Sequence, residues 1–172
     1  AKFLNYNIPK CLSRFPGKFE ITHITGKNDT EVVKTQYDDY GLSAKVLNFS
    51  NEMEKLYDWS DIIISRAGSM TVSEISKSGR AAILVPFLHA TDNHQYFNAK
   101  YLEENKAAII IEEDKNFISK LSNNLSEFYK NQDLLCELAM NGKNLFPNDS
   151  NAIIISKISE LNEELNNTTS KE

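Results

Sequence analysis

The segment 65–74, with the sequence Ser-Arg-Ala-Gly-Ser-Met-Thr-Val-Ser-Glu, contains residue types suited to binding a phosphorylated sugar. It directly follows the apolar run 62–64, and the pattern predicts a strand, a tight turn at Gly68 and the start of a helix. The first turn of a helix has unpaired backbone N–H groups and a partial positive charge, which together attract phosphate. Glu74 follows one turn into this helix, where its carboxylate can take two neighbouring hydroxyl groups. The segment is compatible with a nucleotide-sugar site.

A structural explanation of the same residues stays open. Thr71 and Glu74 match a capping box, in which a threonine and a glutamate three positions later bond to each other's backbone N–H groups. On local sequence alone the capping box is the favoured interpretation. The two roles are compatible, because the same N–H groups could also face a ligand.

A second polar segment, 89–98, follows a predicted strand, at the end where open α/β sheets bind ligands. Gln95 and Asn98 are three residues apart and share one face of the next predicted helix. His89 and His94 could suggest a metal, but no carboxylate–histidine pattern accompanies them, so we discount a metal site. A solvated loop before a polar helix start explains the segment equally well.

Aromatic residues near the second and third predicted strands are interpreted mainly as packing residues. Phe49 and Ser50 end one strand, where an aromatic ring could pack on a base and the backbone could read a base edge. Core packing is the favoured role of Phe49. Tyr57 and Trp59 are also expected to pack against neighbouring side chains.

Composition limits the class of protein. The chain has 172 residues, 41% of them hydrophobic, and a net charge of −5, which fits one soluble domain and disfavours a nucleic-acid binder. Cys11 and Cys136 are far apart and match no disulfide or zinc pattern, so both are expected to be buried apolar residues. Because no apolar run is long enough to cross a membrane and no signal peptide is evident, a cytoplasmic setting fits best.

The elements alternate along the chain, which predicts a doubly wound, Rossmann-like α/β domain with a parallel sheet. Such a domain normally opens with a strand, but this chain begins with a helical pattern, so we expect an open sheet edge or an apolar groove beside that helix. Strands are predicted over residues 19–25, 45–49, 61–65, 81–85 and 107–111, and helices over 3–13, 30–40, 51–57, 71–78, 92–105, 117–130, 133–142 and 151–165.

The blocks 65–74, 85–87 and 94–99, in this order and at this spacing, resemble the MurG family. These N-acetylglucosaminyltransferases convert lipid I to lipid II in bacterial peptidoglycan synthesis. The matching blocks 22–27 and 49–53 extend the resemblance over nearly the whole chain. It implies the C-terminal, UDP-GlcNAc-binding half of a two-domain glycosyltransferase-B fold. The half would span residues 1–165 and lack its first strand and glycine-rich loop, with a disordered polar tail over 166–172 and the N-terminal acceptor domain absent.

The resemblance also implies roles for individual residues. Glu74 would hold the two ribose hydroxyls of UDP-GlcNAc, and the backbone of Ser50 would meet the uracil. Gln95 and Asn98 would hold hydroxyls of GlcNAc, and Arg66 would lie near the site. Ser69, Met70 and Thr71, with Val72 and Ser73 completing the turn, would line the diphosphate and sugar through backbone N–H groups.

The implied reaction is inverting transfer of GlcNAc from UDP-GlcNAc to the muramyl 4-hydroxyl of lipid I, with no cofactor and no metal. UDP-GlcNAc and UDP would bind this chain. The catalytic base, lipid I binding and contact with the cytoplasmic face of the inner membrane would belong to the missing domain, which would leave the fragment alone inactive. Two alternatives stay open. They are a UDP-GlcNAc 2-epimerase, whose catalytic carboxylates and histidine have no evident match here, and a non-catalytic nucleotide-binding module.

Overall fold

The computed structural model describes residues 2–87 and 93–145, and in these ranges helices alternate with strands. The predicted helix at 151–165, the tail and His89 lie outside the described residues. The helices are α1 (Lys2–Leu12), α2 (Thr30–Asp39), α3 (Met53–Trp59), α4 (Ser69–Ser78), α5 (His94–Glu104), α6 (Phe117–Lys130) and α7 (Gln132–Leu145). The strands are β1 (Thr22–Ile24), β2 (Lys45–Leu47), β3 (Ile62–Ser65), β4 (Ala81–Leu84) and β5 (Ile109–Ile110).

All strand pairs in the described residues are parallel, as predicted. β1 pairs with β2, β4 pairs with β3 on one side, and β4 pairs with β5 on the other. All four residues of β4 are buried, which identifies it as a central strand. The carboxyl ends of β3, β4 and β5 therefore lie side by side, and the segments that follow them meet at one edge of the sheet.

Helices cover both faces of the sheet, which is the doubly wound arrangement. Alternate residues of β4 enter different clusters of buried side chains: Ile83 packs on the side of α1, α2 and α6, and Leu84 on the side of α3, α4 and α5. Phe117 and Phe128 of α6 are among the largest buried side chains of the first cluster. Because β3 and β4 lie between helices on both faces of the sheet, their sequences Ile-Ile-Ile-Ser and Ala-Ala-Ile-Leu are nearly continuous apolar runs.

The strands form two separate groups, β1-β2 and β3-β4-β5, instead of one continuous sheet. Residues of β1 and β3 line a cavity of about 530 Å³ together with Leu4 and Ile8 of α1. In the described chain β1 pairs only with β2, and β3 pairs only with β4. The structure thus contains the apolar groove expected beside the first helix.

Helix α4 begins at Ser69, two residues earlier than predicted. Gly68 is its N-cap residue, with φ −63° and ψ 146°, and no side chain caps the helix. The capping-box interpretation is therefore wrong, because Thr71 already lies inside the first turn. The helix ends at Gly79, as predicted, which adopts a left-handed conformation.

Several packing predictions need correction. Phe49 is 66% exposed, and Trp59 is also exposed, so neither is a core residue. Tyr57 and Cys11 are buried as expected, but Cys136 is exposed on α7. For Phe49 the physical reason is local: β2 ends at Leu47, so Phe49 lies in the segment between β2 and α3 and outside the strand whose side chains would be packed.

Candidate functional site

The start of α4 presents backbone N–H groups at the carboxyl end of β3. The first helical hydrogen bond runs from the N–H of Val72 to the carbonyl of Gly68, at 2.9 Å. The N–H groups of Ser69, Met70 and Thr71 precede that bond and are not used by the helix. Met70 is 76% exposed, so this end of the helix is open to solvent. Three adjacent N–H groups at an open helix start form an arrangement that suits an anion such as a diphosphate.

Val72 and Ser73 differ from the preceding three residues. The N–H group of Val72 is already bonded to Gly68, and its side chain is buried in the cluster below α4. Ser73 lies in the same turn and is half-buried. Val72 therefore completes the turn without an unused N–H group of its own.

Glu74 is exposed and lies one turn into α4, where its carboxylate is held by Tyr57. The Tyr57 hydroxyl donates a hydrogen bond to Oε2 of Glu74 at 3.2 Å. Burial, followed by the negative charge of Glu74, raises the pKa of Tyr57 to about 12, so the hydroxyl keeps its proton at neutral pH. This bond orients the carboxylate and leaves Oε1 for another donor. Sequence reasoning placed Tyr57 correctly in the core but missed the role of its hydroxyl.

Gln95 and Asn98 join α5 to the segments that follow β3 and β4. The backbone N–H of Phe87 donates to Oε1 of Gln95 at 3.1 Å. The side-chain amide of Asn98 donates through Nδ2 to the carbonyl of Ala67 at 3.0 Å. These bonds leave Nε2 of Gln95 and Oδ1 of Asn98 as the ends of each amide that can face a ligand. The predicted shared face of the two residues is therefore directed at the carboxyl edge of the sheet.

Ser50 lies in the segment between β2 and α3 and borders the cavity between β1 and β3. Its hydroxyl accepts a hydrogen bond from the N–H of Glu52 at 3.1 Å, which shapes the turn before α3. Phe49, Tyr57 and Thr71 border the same cavity. The structure thus brings the end of β2 and the start of α4 to one opening, whereas Gln95 and Asn98 lie outside its lining.

Arg66 follows β3 and interacts with the segments that follow β4 and β5. Its Nη1 donates to the carbonyl of Val85 at 3.1 Å, and its Nη2 forms an ion pair with Oε1 of Glu113. The guanidinium carbon lies 5.4 Å from the ring centroid of Phe87. Sequence reasoning placed Arg66 near the site but did not identify Glu113, since no local pattern links the two residues.

The described residues contain neither a metal-binding cluster nor a helix that could span a membrane. Within residues 2–87 and 93–145, no group of three or more His, Cys, Asp or Glu side chains is arranged to hold a metal ion. In the same ranges, no helix has the length and apolar character needed to cross a bilayer.

Comparison with known proteins identifies the family. Residues 1–164 match the glycosyltransferase family 28 C-terminal domain. The chain belongs to this family. The family 28 domain is 38% identical over 147 residues to a protein of Coxiella burnetii, a match covering 84% of this chain and 41% of the relative. It is 39% identical over 163 residues to a protein of Wigglesworthia glossinidia brevipalpis, covering 94% of this chain and 45% of the relative. Both relatives are named UDP-N-acetylglucosamine--N-acetylmuramyl-(pentapeptide) pyrophosphoryl-undecaprenol N-acetylglucosamine transferase.

Solved structures agree with this assignment of the family 28 domain. MurG of Acinetobacter baumannii superimposes with a TM-score of 0.82 at 31% identity, over 93% of this chain and 46% of MurG. The glycotransferase of kitacinnamycin has a TM-score of 0.64 at 15% identity, a likeness of fold alone. The prediction of a doubly wound α/β domain of the glycosyltransferase-B type is confirmed. The family 28 domain spans less than half the length of the curated relatives it matches.

Proposed function

We propose that the protein containing this chain transfers GlcNAc from UDP-GlcNAc to the muramyl 4-hydroxyl of lipid I, with inversion, to give lipid II. This chain supplies the donor site. The observation that carries the proposal is the start of α4, where three unused N–H groups lie one turn from the Tyr57-held carboxylate of Glu74. Family membership and the names of the relatives support the same activity.

Each part of the site would act on a different part of the donor. The N–H groups of Ser69, Met70 and Thr71 would stabilise the charge that develops on the diphosphate as UDP leaves. Glu74 would accept hydrogen bonds from both ribose hydroxyls, and the backbone of Ser50 would bind the uracil. The amides of α5 would hold GlcNAc hydroxyls. We assign no catalytic base to this chain, so a base in the acceptor domain would deprotonate the lipid I hydroxyl.

The groove between β1 and β3 supports a proposal about domain organisation. A parallel strand placed there would join the two strand groups into one six-stranded sheet, with the order of a doubly wound domain. We propose that residues preceding α1 in the full-length protein supply this strand and a glycine-rich loop. The acceptor domain would bind lipid I and contact the cytoplasmic face of the inner membrane, and the chain by itself would be inactive.

A substitution of Glu74 tests the donor site. Glu74→Gln keeps the shape of the side chain but removes the charge, and hydrogen bonds to a charged group contribute about 1.5–3 kcal/mol. We expect the full-length variant to lose about tenfold to a hundredfold in affinity for UDP-GlcNAc and for UDP. 2′-Deoxy-UDP should be affected less, because one of the two hydroxyl contacts is already missing. Calorimetric titration of wild type and variant with the three ligands measures this.

The control is Glu127→Gln, an exposed glutamate on α6, which should leave all three affinities unchanged. Unchanged nucleotide affinity in Glu74→Gln would contradict the donor-site assignment at α4. A product assay on the wild-type protein with UDP-GlcNAc and lipid I then identifies the reaction. Lipid II is the expected product, whereas free N-acetylmannosamine would indicate an epimerase.

A further inference from the structure

Arg66 contacts the segments that follow three adjacent strands. It follows β3 itself, bonds to the carbonyl of Val85 after β4, and forms its ion pair with Glu113 after β5. The side chains of Arg66 and Glu113 are only 21% and 16% exposed, so the pair is mostly shielded from water. The stacking of the guanidinium on Phe87 adds a fourth contact at the same edge.

These contacts require the particular geometry of arginine. A planar guanidinium can bond a carbonyl and a carboxylate from two nitrogens while its face rests on an aromatic ring. A lysine ammonium has the same charge but lacks the fork and the face. Because Glu113 already neutralises Arg66, the guanidinium is poorly suited to act as a free cation for a diphosphate.

The Arg66 contacts continue into α5. Phe87, on which the guanidinium stacks, donates its N–H to Oε1 of Gln95. Ala67, the residue after Arg66, accepts the bond from Nδ2 of Asn98. Gln95 is therefore anchored to the backbone of Phe87, whose ring Arg66 contacts and which lies two residues after the Val85 carbonyl that Arg66 bonds. Asn98 is anchored to Ala67, the residue next to Arg66. A shift of that backbone would change which amide atoms face the ligand.

We propose that Arg66 is a positioning residue. By joining the segments that follow β3, β4 and β5, it fixes the position of the side chains that bind the sugar of the donor. This inference rests on the proposed function. Arg66 raises the affinity for UDP-GlcNAc relative to UDP by positioning Gln95 and Asn98. It does not bind the diphosphate directly. Glu113 is its partner in this role.

The test compares Arg66→Lys and Glu113→Gln in the full-length protein, titrated with UDP-GlcNAc and with UDP. We expect each variant to lose about tenfold in UDP-GlcNAc affinity, the loss of roughly one hydrogen bond to a charged group, with UDP affinity changed less than about twofold. Direct binding of the diphosphate predicts the opposite pattern. Arg66→Lys would then lower the affinity for UDP as much as the affinity for UDP-GlcNAc. Glu113→Gln, which removes the competing carboxylate, would raise the affinity for UDP.

Amide hydrogen exchange without ligand provides an independent readout. Arg66→Lys should accelerate exchange at the N–H of Phe87 about tenfold and leave β1 unchanged. Arg80→Lys is the matched control, because within residues 2–87 and 93–145 Arg80 bonds only to the carbonyl of Asp58, and it precedes β4 at the opposite edge of the sheet. Unchanged exchange at Phe87, or parallel losses of UDP and UDP-GlcNAc affinity, would overturn the positioning role of Arg66 but leave the proposed function intact. Failure of the wild-type protein to bind either nucleotide would instead overturn the proposed function.

Discussion

His23 of β1 lies in a buried polar network that joins the strand to two helices. Its Nδ1 is 3.0 Å from the hydroxyl of Tyr37 on α2, and its Nε2 is 3.1 Å from Oδ1 of Asn5 on α1. Since Nδ2 of Asn5 donates to the carbonyl of Thr25, Oδ1 must accept, and Nε2 carries the imidazole proton. Burial lowers the pKa of His23 to about 4, because a charged imidazole would lose its hydration there.

This lowered pKa makes the stability of the chain depend on pH. Above pH 6.5 His23 is neutral in both states, but between pH 6.5 and about 4 only the unfolded state binds the proton. The free energy of unfolding should therefore fall with falling pH, by about 1.4 kcal/mol per pH unit and roughly 3 kcal/mol in total. Urea unfolding of wild type and His23→Gln from pH 7.5 to pH 4 isolates this effect. Equal pH dependence of the two proteins would contradict the buried neutral assignment.

At the scale of elements, α4 depends on the different backbone conformations of its two flanking glycines. Gly68 is extended and caps the start of the helix, whereas Gly79 is left-handed, with φ +62°, and ends the helix. A Cβ at Gly79 would also approach Cδ of Lys143 to 3.4 Å. Gly142 in α7 is a useful contrast. It is an ordinary helical residue, and a Cβ there would meet no atom closer than 3.8 Å.

Alanine should destabilise the chain at Gly79 but not at Gly142. Gly79→Ala should destabilise the chain by about 1–2 kcal/mol, the strain of a left-handed conformation in a residue with Cβ. Gly142→Ala should be neutral or stabilise by up to about 1 kcal/mol, because alanine favours the helix and the neighbouring atoms leave room. Urea unfolding of both variants at neutral pH provides the comparison. If Gly142→Ala destabilised the chain as much as Gly79→Ala, backbone strain at Gly79 would not explain the loss of stability.

At the scale of the whole molecule, the groove between β1 and β3 divides the sheet. Facing edges of two parallel strand groups expose backbone N–H and C=O groups that a further strand could pair. The groove also leaves Ile21, Ile62 and Ile64 only partly buried beside α1. The amphipathic helices cover both faces of the sheet, but no described element closes this gap.

We expect the full-length protein to be more stable than residues 1–172 alone, because the proposed strand would fill the groove. Each kcal/mol corresponds to about 2–4 °C in Tm for a chain of this size, so calorimetry should show a difference of roughly 5 °C or more. The isolated chain should also bind an apolar dye such as anilinonaphthalene sulfonate more strongly. A cooperative transition at the same temperature in both proteins, without dye binding, would refute the proposed strand.

The order and type of the elements follow from the sequence, because they depend on local patterns. The apolar runs at β3 and β4, the glycine after α4 and the 3.6-residue periodicity of α6 all act within a few residues. The groove was also foreseeable, since the chain opens with a helix where a doubly wound domain has a strand. Local spacing likewise placed Gln95 and Asn98 on one helix face.

Tertiary structure alone decided the partners of the site residues. The bond from Tyr57 to Glu74 joins positions 17 residues apart, and the one from Asn98 to Ala67 joins positions 31 apart. The local pattern at Thr71 and Glu74 favoured a capping box, but the backbone at Gly68 started the helix two residues earlier and released the carboxylate for Tyr57. Such contacts depend on how helices and strand ends are brought together in space, so no short-range pattern in the sequence records them.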